Sequence, residues 1–182
     1  MSGWNFCTRC QQVRRKKVFV ISAEGEITEP QYFQRLNSMS KNCVFYVVEN
    51  FGNGSDPRHV LGRMKNYLRQ TPLDKEDEAW IVVDQDKWPL ETIQELQQWS
   101  NETNRFCGIS IRKFEDFLKL HLTGEPIALK KYKDFLNGKN KHLPDDFLTK
   151  SRVLNAIEQA KKLKDTPKTV GNVYMLLEKF FS

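Results

Sequence analysis

The chain has 182 residues, 39% of them apolar and 29% charged, enough for one domain with a core of its own and too few for a second full one. The 29 Lys and Arg against 23 Asp and Glu leave a net charge of +6, which suits a polyanion such as nucleic acid without requiring one. No apolar run approaches the length of a membrane span and no secretory h-region opens the chain, so a soluble, cytoplasmic protein is expected.

Residues 1–16 read as an irregular N-terminal arm, with 17–182 as a single domain. The arm carries Cys7 and Cys10, a CxxC pair with no second pair to complete a zinc site. It reads as a reduced thiol pair, with zinc shared with a partner chain as the alternative. Cys43 and Cys107 sit in or beside apolar runs and read as reduced core residues. The basic run Arg14-Arg15-Lys16-Lys17 leads into KVFVIS (17–22), a β-branched run that reads as a buried strand. Gly25 marks a turn, after which Thr28 is placed to cap a helix reaching about Met39, with Tyr32, Phe33 and Leu36 facing inward. VFYVVEN (44–50) is a second strand, and GNGSDP (52–57) a loop. Ser55 or Asp56 can cap a helix over 57–70. AWIVVD (79–84) is a third strand, 89–102 an amphipathic helix and CGISI (107–111) a fourth strand. Helices follow at 114–122, about 127–136, 149–164 and 171–181, separated by a polar loop over 137–148.

Strands alternating with helices predict an α/β fold: about four mostly parallel strands flanked by helices, in a core of about 17–122, with a helical C-terminal extension over about 123–182. In such sheets ligands bind beyond the carboxyl ends of the strands, and the acids fall there. Glu24 lies two residues past the first run. Asp84 closes the third, and Asp86 follows at the strand spacing of two. Glu115 opens the helix after the fourth strand. Carboxylates gathered in this way repel one another unless a cation sits between them. Few hard oxygen ligands suit Mg²⁺ or Mn²⁺, which can polarise a phosphoryl oxygen and activate water.

VFVISAEGEITEPQYF (18–33) resembles the opening of the RloB-like proteins, a strand followed by EG-x-TE-P-x-YF; Glu24, Gly25, Thr28, Glu29, Pro30, Tyr32 and Phe33 occupy those places. WIVVDQDKW (80–88) is similar to that family's strand-DxD-W element, and NGSDP (53–57) to its Gly-rich loop. SIRKFEDFLKLHL (110–122) and TPKTVGNVYMLLE (166–178) resemble its later segments, although Ile111, Arg112 and Lys113 replace the usual Asn-Pro-x. The resemblance spans roughly 18–180. It implies a Toprim fold, in which Glu24 serves as general acid/base while Asp84 and Asp86 hold Mg²⁺. It further implies a part in defence against phage beside an ATPase partner.

Two functional classes follow. One is a Mg²⁺-dependent nuclease cutting DNA or RNA, with Glu24, Asp84, Asp86 and Glu115 as its catalytic group and Glu24, Asp84 and Asp86 as metal ligands. The other is a non-catalytic Toprim-like subunit that regulates an ATPase or binds nucleic acid. A haloacid-dehalogenase-like phosphatase is disfavoured, because Trp88 stands where that DxD motif needs Thr. Arg112, Lys113, His121, Lys168 and Thr169 are candidate substrate contacts. His121, on an apolar helix face, reads first as a satisfied core residue, with a substrate or proton-transfer role as the alternative, and Lys168 and Thr169 as an anion site before the last helix. Glu26 and Glu29 read as solvated charges in the turn and the first helical turn. Trp88 can stack on a base or pack on the sheet edge. The cluster Lys130, Lys131, Lys133, Lys139 and Lys141 reads as a solvated face unless it shares a side with the acids.

Overall fold

The computed structural model describes residues 15–50, 52, 54, 56–85 and 88–182. Four strands, β1 (Lys17–Ala23), β2 (Cys43–Val47), β3 (Glu78–Asp84) and β4 (Arg105–Ser110), form one sheet in the order β2-β1-β3-β4. Every pairing is parallel. β1 and β3 are central, and both are rich in Val, Ile and aromatic residues because both faces of a parallel sheet are covered.

Successive side chains of a strand point to opposite faces, and the core divides accordingly. Phe19, Ile21, Trp80 and Val82 face one apolar cluster, while Val20, Ala79, Ile81 and Val83 face the other. Helices α2 (Pro57–Gln70) and α3 (Leu90–Trp99) cover the second face through Val60, Met64, Ile93 and Leu96. Helix α1 (Thr28–Leu36) lies on the first face through Tyr32, Phe33 and Leu36. The C-terminal helices are α4 (Phe114–Leu120), α5 (Pro126–Lys131), α6 (Lys133–Leu136), α7 (Lys150–Leu163) and α8 (Tyr174–Phe181). They contribute Phe117, Phe135, Ile157 and Phe180 to the same cluster as α1. Phe180 stacks on Phe45 of β2 with ring centroids 4.1 Å apart, so the helical extension shares the core of the sheet.

Several boundaries differ from the sequence reading for local reasons. Thr28 is the first helical residue and not the cap; its hydroxyl donates to Lys141 O at 2.9 Å, tying α1 to the 137–148 loop. The end of α1 tightens into a 3-10 turn over Asn37–Met39. Asp56 caps α2 by accepting the N–H groups of Arg58 and His59. The expected helix over 127–136 breaks at Tyr132, whose ring is buried, into α5 and α6. The last helix starts at Tyr174 because Gly171, at φ 102°, forms an antiparallel bridge with Ser110 at the free edge of β4. Cys7, Cys10, Ser55 and Asp86 lie outside the described residues.

Candidate functional site

Beyond Ala23 the chain stays in the ladder for one more bond, in which Glu24 N–H donates to Val82 O at 2.9 Å. The Glu24 carboxylate then turns onto β3, where Oε2 accepts the backbone N–H of Asp84 at 3.0 Å. One acid is thus oriented by the main chain of the next. Asp84 closes β3 and pairs across the ladder with Ser110 at the end of β4.

Glu29 enters from α1. Helical spacing puts it on the same face as Tyr32, Phe33 and Leu36, and it is only 8% exposed. This corrects the reading of Glu29 as a solvated helix-dipole charge; Glu26 is exposed, as expected. The Glu29 carboxylate rests against Gly25, where a Cβ would lie 1.9 Å from Oε2. The nearby N–H groups of Glu29 itself and of Gly25 offset part of the effect of its burial. An alanine at 25 would push the carboxylate from its seat. Glu115, half-buried in the first turn of α4, completes the group from the far side, with Gly138 of the polar loop facing its Oε1.

These acids act on one another electrostatically. Burial pushes the Glu29 carboxyl up to about 7, and the charges of Glu115 and Glu24 add to that rise. Burial also pushes Asp84 up to about 8, with Glu29, Glu24 and Glu115 contributing. The Ser110 hydroxyl offsets part of the rise in Asp84, although its buried oxygen has no partner at full hydrogen-bond geometry. We take the hydroxyl to be near Asp84 and imperfectly aimed, which reconciles the two observations.

The rim of this edge is polar and incompletely satisfied. The side-chain amide of Asn50 beyond β2, the indole N–H of Trp88 beyond β3 and Nε of Arg63 are buried without hydrogen-bond partners among the described residues. Arg63 reaches from α2 to donate to Gly54 O at 3.0 Å and to Ala23 O at 2.5 Å. Its guanidinium has no ion-pair partner among the described residues and sits next to the strand end that carries Glu24. Burial draws its pKa below the usual arginine value.

Hard carboxylate oxygens are the right donors for Mg²⁺ or Mn²⁺, and crowding of like charges is the condition a cation relieves. In their present rotamers no group of three or more His, Cys, Asp or Glu among the described residues is arranged to hold an ion. Asp86, the second acid of the DxD, lies outside them.

The other candidates are dispersed. Arg112 and Lys113 are exposed, and Arg112 Nε contacts Asp116 at 3.2 Å. His121 is fully buried: Nε2 lies 2.9 Å from the Tyr32 hydroxyl and Nδ1 3.3 Å from Phe117 O, amid the rings of Phe117 and Phe147. Burial lowers its pKa to about 4, so it is neutral and structural. Lys168 is exposed, and the Thr169 hydroxyl accepts Gly171 N–H, five residues before α8 begins. No helix end is therefore available to them for an anion. The polar loop does come alongside the acids: Gly138 faces Glu115, Thr28 binds Lys141 O, and Leu143 N–H donates to Gln31 Oε1. Among the described residues no helix is long and apolar enough to cross a membrane.

Fold and site together define the class, an α/β protein with an all-parallel four-stranded sheet whose carboxyl edge gathers acids from three separate stretches of chain. Residues 19–180 match the family described as RloB-like protein. The chain belongs to the RloB-like family. Comparison with curated proteins and with solved structures gives no match.

Proposed function

We propose that this protein is a metal-dependent nuclease of the Toprim type, which hydrolyses phosphodiester bonds in DNA or RNA. One observation carries the reading: Glu24, Glu29, Asp84 and Glu115 share one strand edge, where burial and mutual repulsion raise the carboxyls of Asp84 and Glu29 to about 8 and 7. A protein gains nothing in stability from such an arrangement, and perturbed carboxyls of this kind are the usual mark of a working site.

Asp84 and Asp86, with Glu24, would hold Mg²⁺ or Mn²⁺. When bound, the ion would neutralise charge on the phosphoryl group and bring the pKa of a bound water towards neutrality. Glu24, steered by the Asp84 N–H, is the group to move a proton at the attacking or leaving oxygen. Glu29 and Glu115 supply negative charge that strengthens retention of a cation. Arg63 and the lysines of the 137–148 loop offer positive charge on either side for flanking phosphates. The family resemblance supports a part in phage defence with an ATPase as partner, and the basic excess supports a nucleic-acid substrate.

The test is cleavage of labelled single-stranded DNA, duplex DNA and RNA by the purified full chain, with Mg²⁺, Mn²⁺ or EDTA. Cleavage is expected only with metal, and Glu24→Gln or Asp84→Asn should reduce it by about 10³-fold. Undiminished cleavage by both variants would refute the assignment. A protein that cleaves nothing but stimulates or restrains an ATPase would be a regulatory subunit.

A further inference from the structure

A separate cleft of about 330 Å³ opens beside the acids, along the free edge of β4. Gln85, Gln97, Ile111, Lys164, Tyr174 and Met175 contribute to its walls. The main chain fixes its position relative to Asp84. Gln85 is the next residue, and its N–H donates to Ser110 O at 2.8 Å. The opposite wall includes a strap over 169–172 laid against β4: Ile111 N–H donates to Val170 O at 3.3 Å and Asn172 N–H to Ile109 O at 3.0 Å. Only glycine permits the strap to lie so close. Gly171 has φ 102°, and a Cβ there would meet Ile109 O at 1.8 Å.

Asn172 and Thr169 in the wall are committed to the main chain of β4 and of the strap, but three other polar side chains are not. Among the described residues the side-chain amides of Gln85 and Gln97 make no hydrogen bond, and Lys164 has no ion-pair partner. No carboxylate lines the cleft. Ile111 and Met175 are 38% and 44% exposed and give the cleft apolar surface. Amides that donate and accept, apolar surfaces for a flat ring, and one cation match the chemistry of a nucleobase joined to its phosphate. The volume lies at the small end of the roughly 300–1,000 Å³ found for ligand pockets, which suits a single base.

The geometry points to this cleft as the seat of one unpaired base beside the scissile phosphate, making the substrate a single strand or a frayed end. The inference rests on the nuclease reading and adds to it the substrate class and the residues that select it.

The test measures binding of short labelled homopolymeric single strands to the full chain in EDTA by anisotropy, alongside metal-dependent cleavage by the same preparation. The variants are Gln97→Ala and Lys164→Ala, both at exposed positions, with thermal melts confirming that they fold. Wild-type protein should prefer one base, and unlabelled duplex should not compete. Gln97→Ala should weaken the preferred strand about tenfold and flatten the preference. Lys164→Ala should weaken every strand alike by several-fold. Wild-type-like binding by both variants, or effective competition by duplex, overturns the base seat; persistent metal-dependent cleavage would then leave the nuclease reading standing. A wild type that neither binds a strand nor cleaves one removes both.

Discussion

Strand β3 begins and ends on an acid, and its two ends have opposite electrostatics. Glu78 at the amino end is 6% exposed, yet it is matched: Lys17 donates to it at 2.7 Å, the Trp80 indole at 2.9 Å and Lys179 at 3.1 Å. Burial pushes its carboxyl up, but these bonds outweigh that and hold it below the usual value. Asp84 at the carboxyl end faces three other carboxylates, and its pKa rises to about 8. The same strand thus carries a neutralised acid at one end and a crowded one at the other, the one to which the proposed function gives the working role. What separates them among the described residues is that Glu78 has two lysines bonded to it, whereas Asp84 has an ion pair with none.

The comparison can be broken most forcefully through activity. Asp84→Asn should abolish metal-dependent cleavage, a loss of about 10³-fold, whereas Glu78→Ala should leave the rate per folded molecule within about twofold. Stability should respond in the reverse order. Glu78→Ala strands Lys17 and Lys179 beside a buried indole and should cost about 2 kcal/mol in urea unfolding. Asp84→Asn relieves repulsion and should gain about 1 kcal/mol, the trade expected at a functional site. Gly25→Ala sharpens the contrast further. It displaces the Glu29 carboxylate while leaving the core intact, so activity should fall about tenfold with stability changed by under about 1 kcal/mol.

The comparison can also be followed through the slope of stability with pH. Asp84, raised from 3.8 to about 8, and Glu29, raised from 4.5 to about 7, bind protons more tightly in the folded chain than in the unfolded one. Their contribution is therefore full below about pH 4 and is lost as pH rises through 7 and 8. The melting temperature should decline over that window, Asp84→Asn should flatten the decline, and Mn²⁺ should reverse part of it. His121, lowered from 6.5 to about 4, works the other way. Its contribution is lost as pH falls from about 6.5 through about 4, and His121→Gln should remove that limb.

Much of this was legible in the residues. The β-branched runs located all four strands, because a strand buried on both faces has little choice of composition. Asp84 at the close of the third run and Glu24 just past the first marked the edge of the sheet where the acids gather. Glu29 was misread as a solvated charge, although its helical spacing from Tyr32, Phe33 and Leu36 set it on the buried stripe; the periodicity held the signal and its charge masked it. Arg63, Asn50 and Ser110 were missed for a different reason. Their importance arises from tertiary placement at the ends of neighbouring strands, which no local pattern encodes. The Gly171 strap was likewise hidden, since its bridge to Ser110 joins residues far apart in sequence.

The central claim, that the carboxyl edge of the sheet is built to hold a divalent cation, is tested most directly by calorimetric titration of Mn²⁺ into the full chain at neutral pH. The titration is made in two buffers of different ionisation enthalpy, with wild type and Asp84→Asn side by side. The account predicts that wild type binds with release of protons, because Asp84 and Glu29 must ionise to accept the ion, and that Asp84→Asn loses both binding and release. Equal binding by the two proteins, or binding by wild type without proton release, would contradict it.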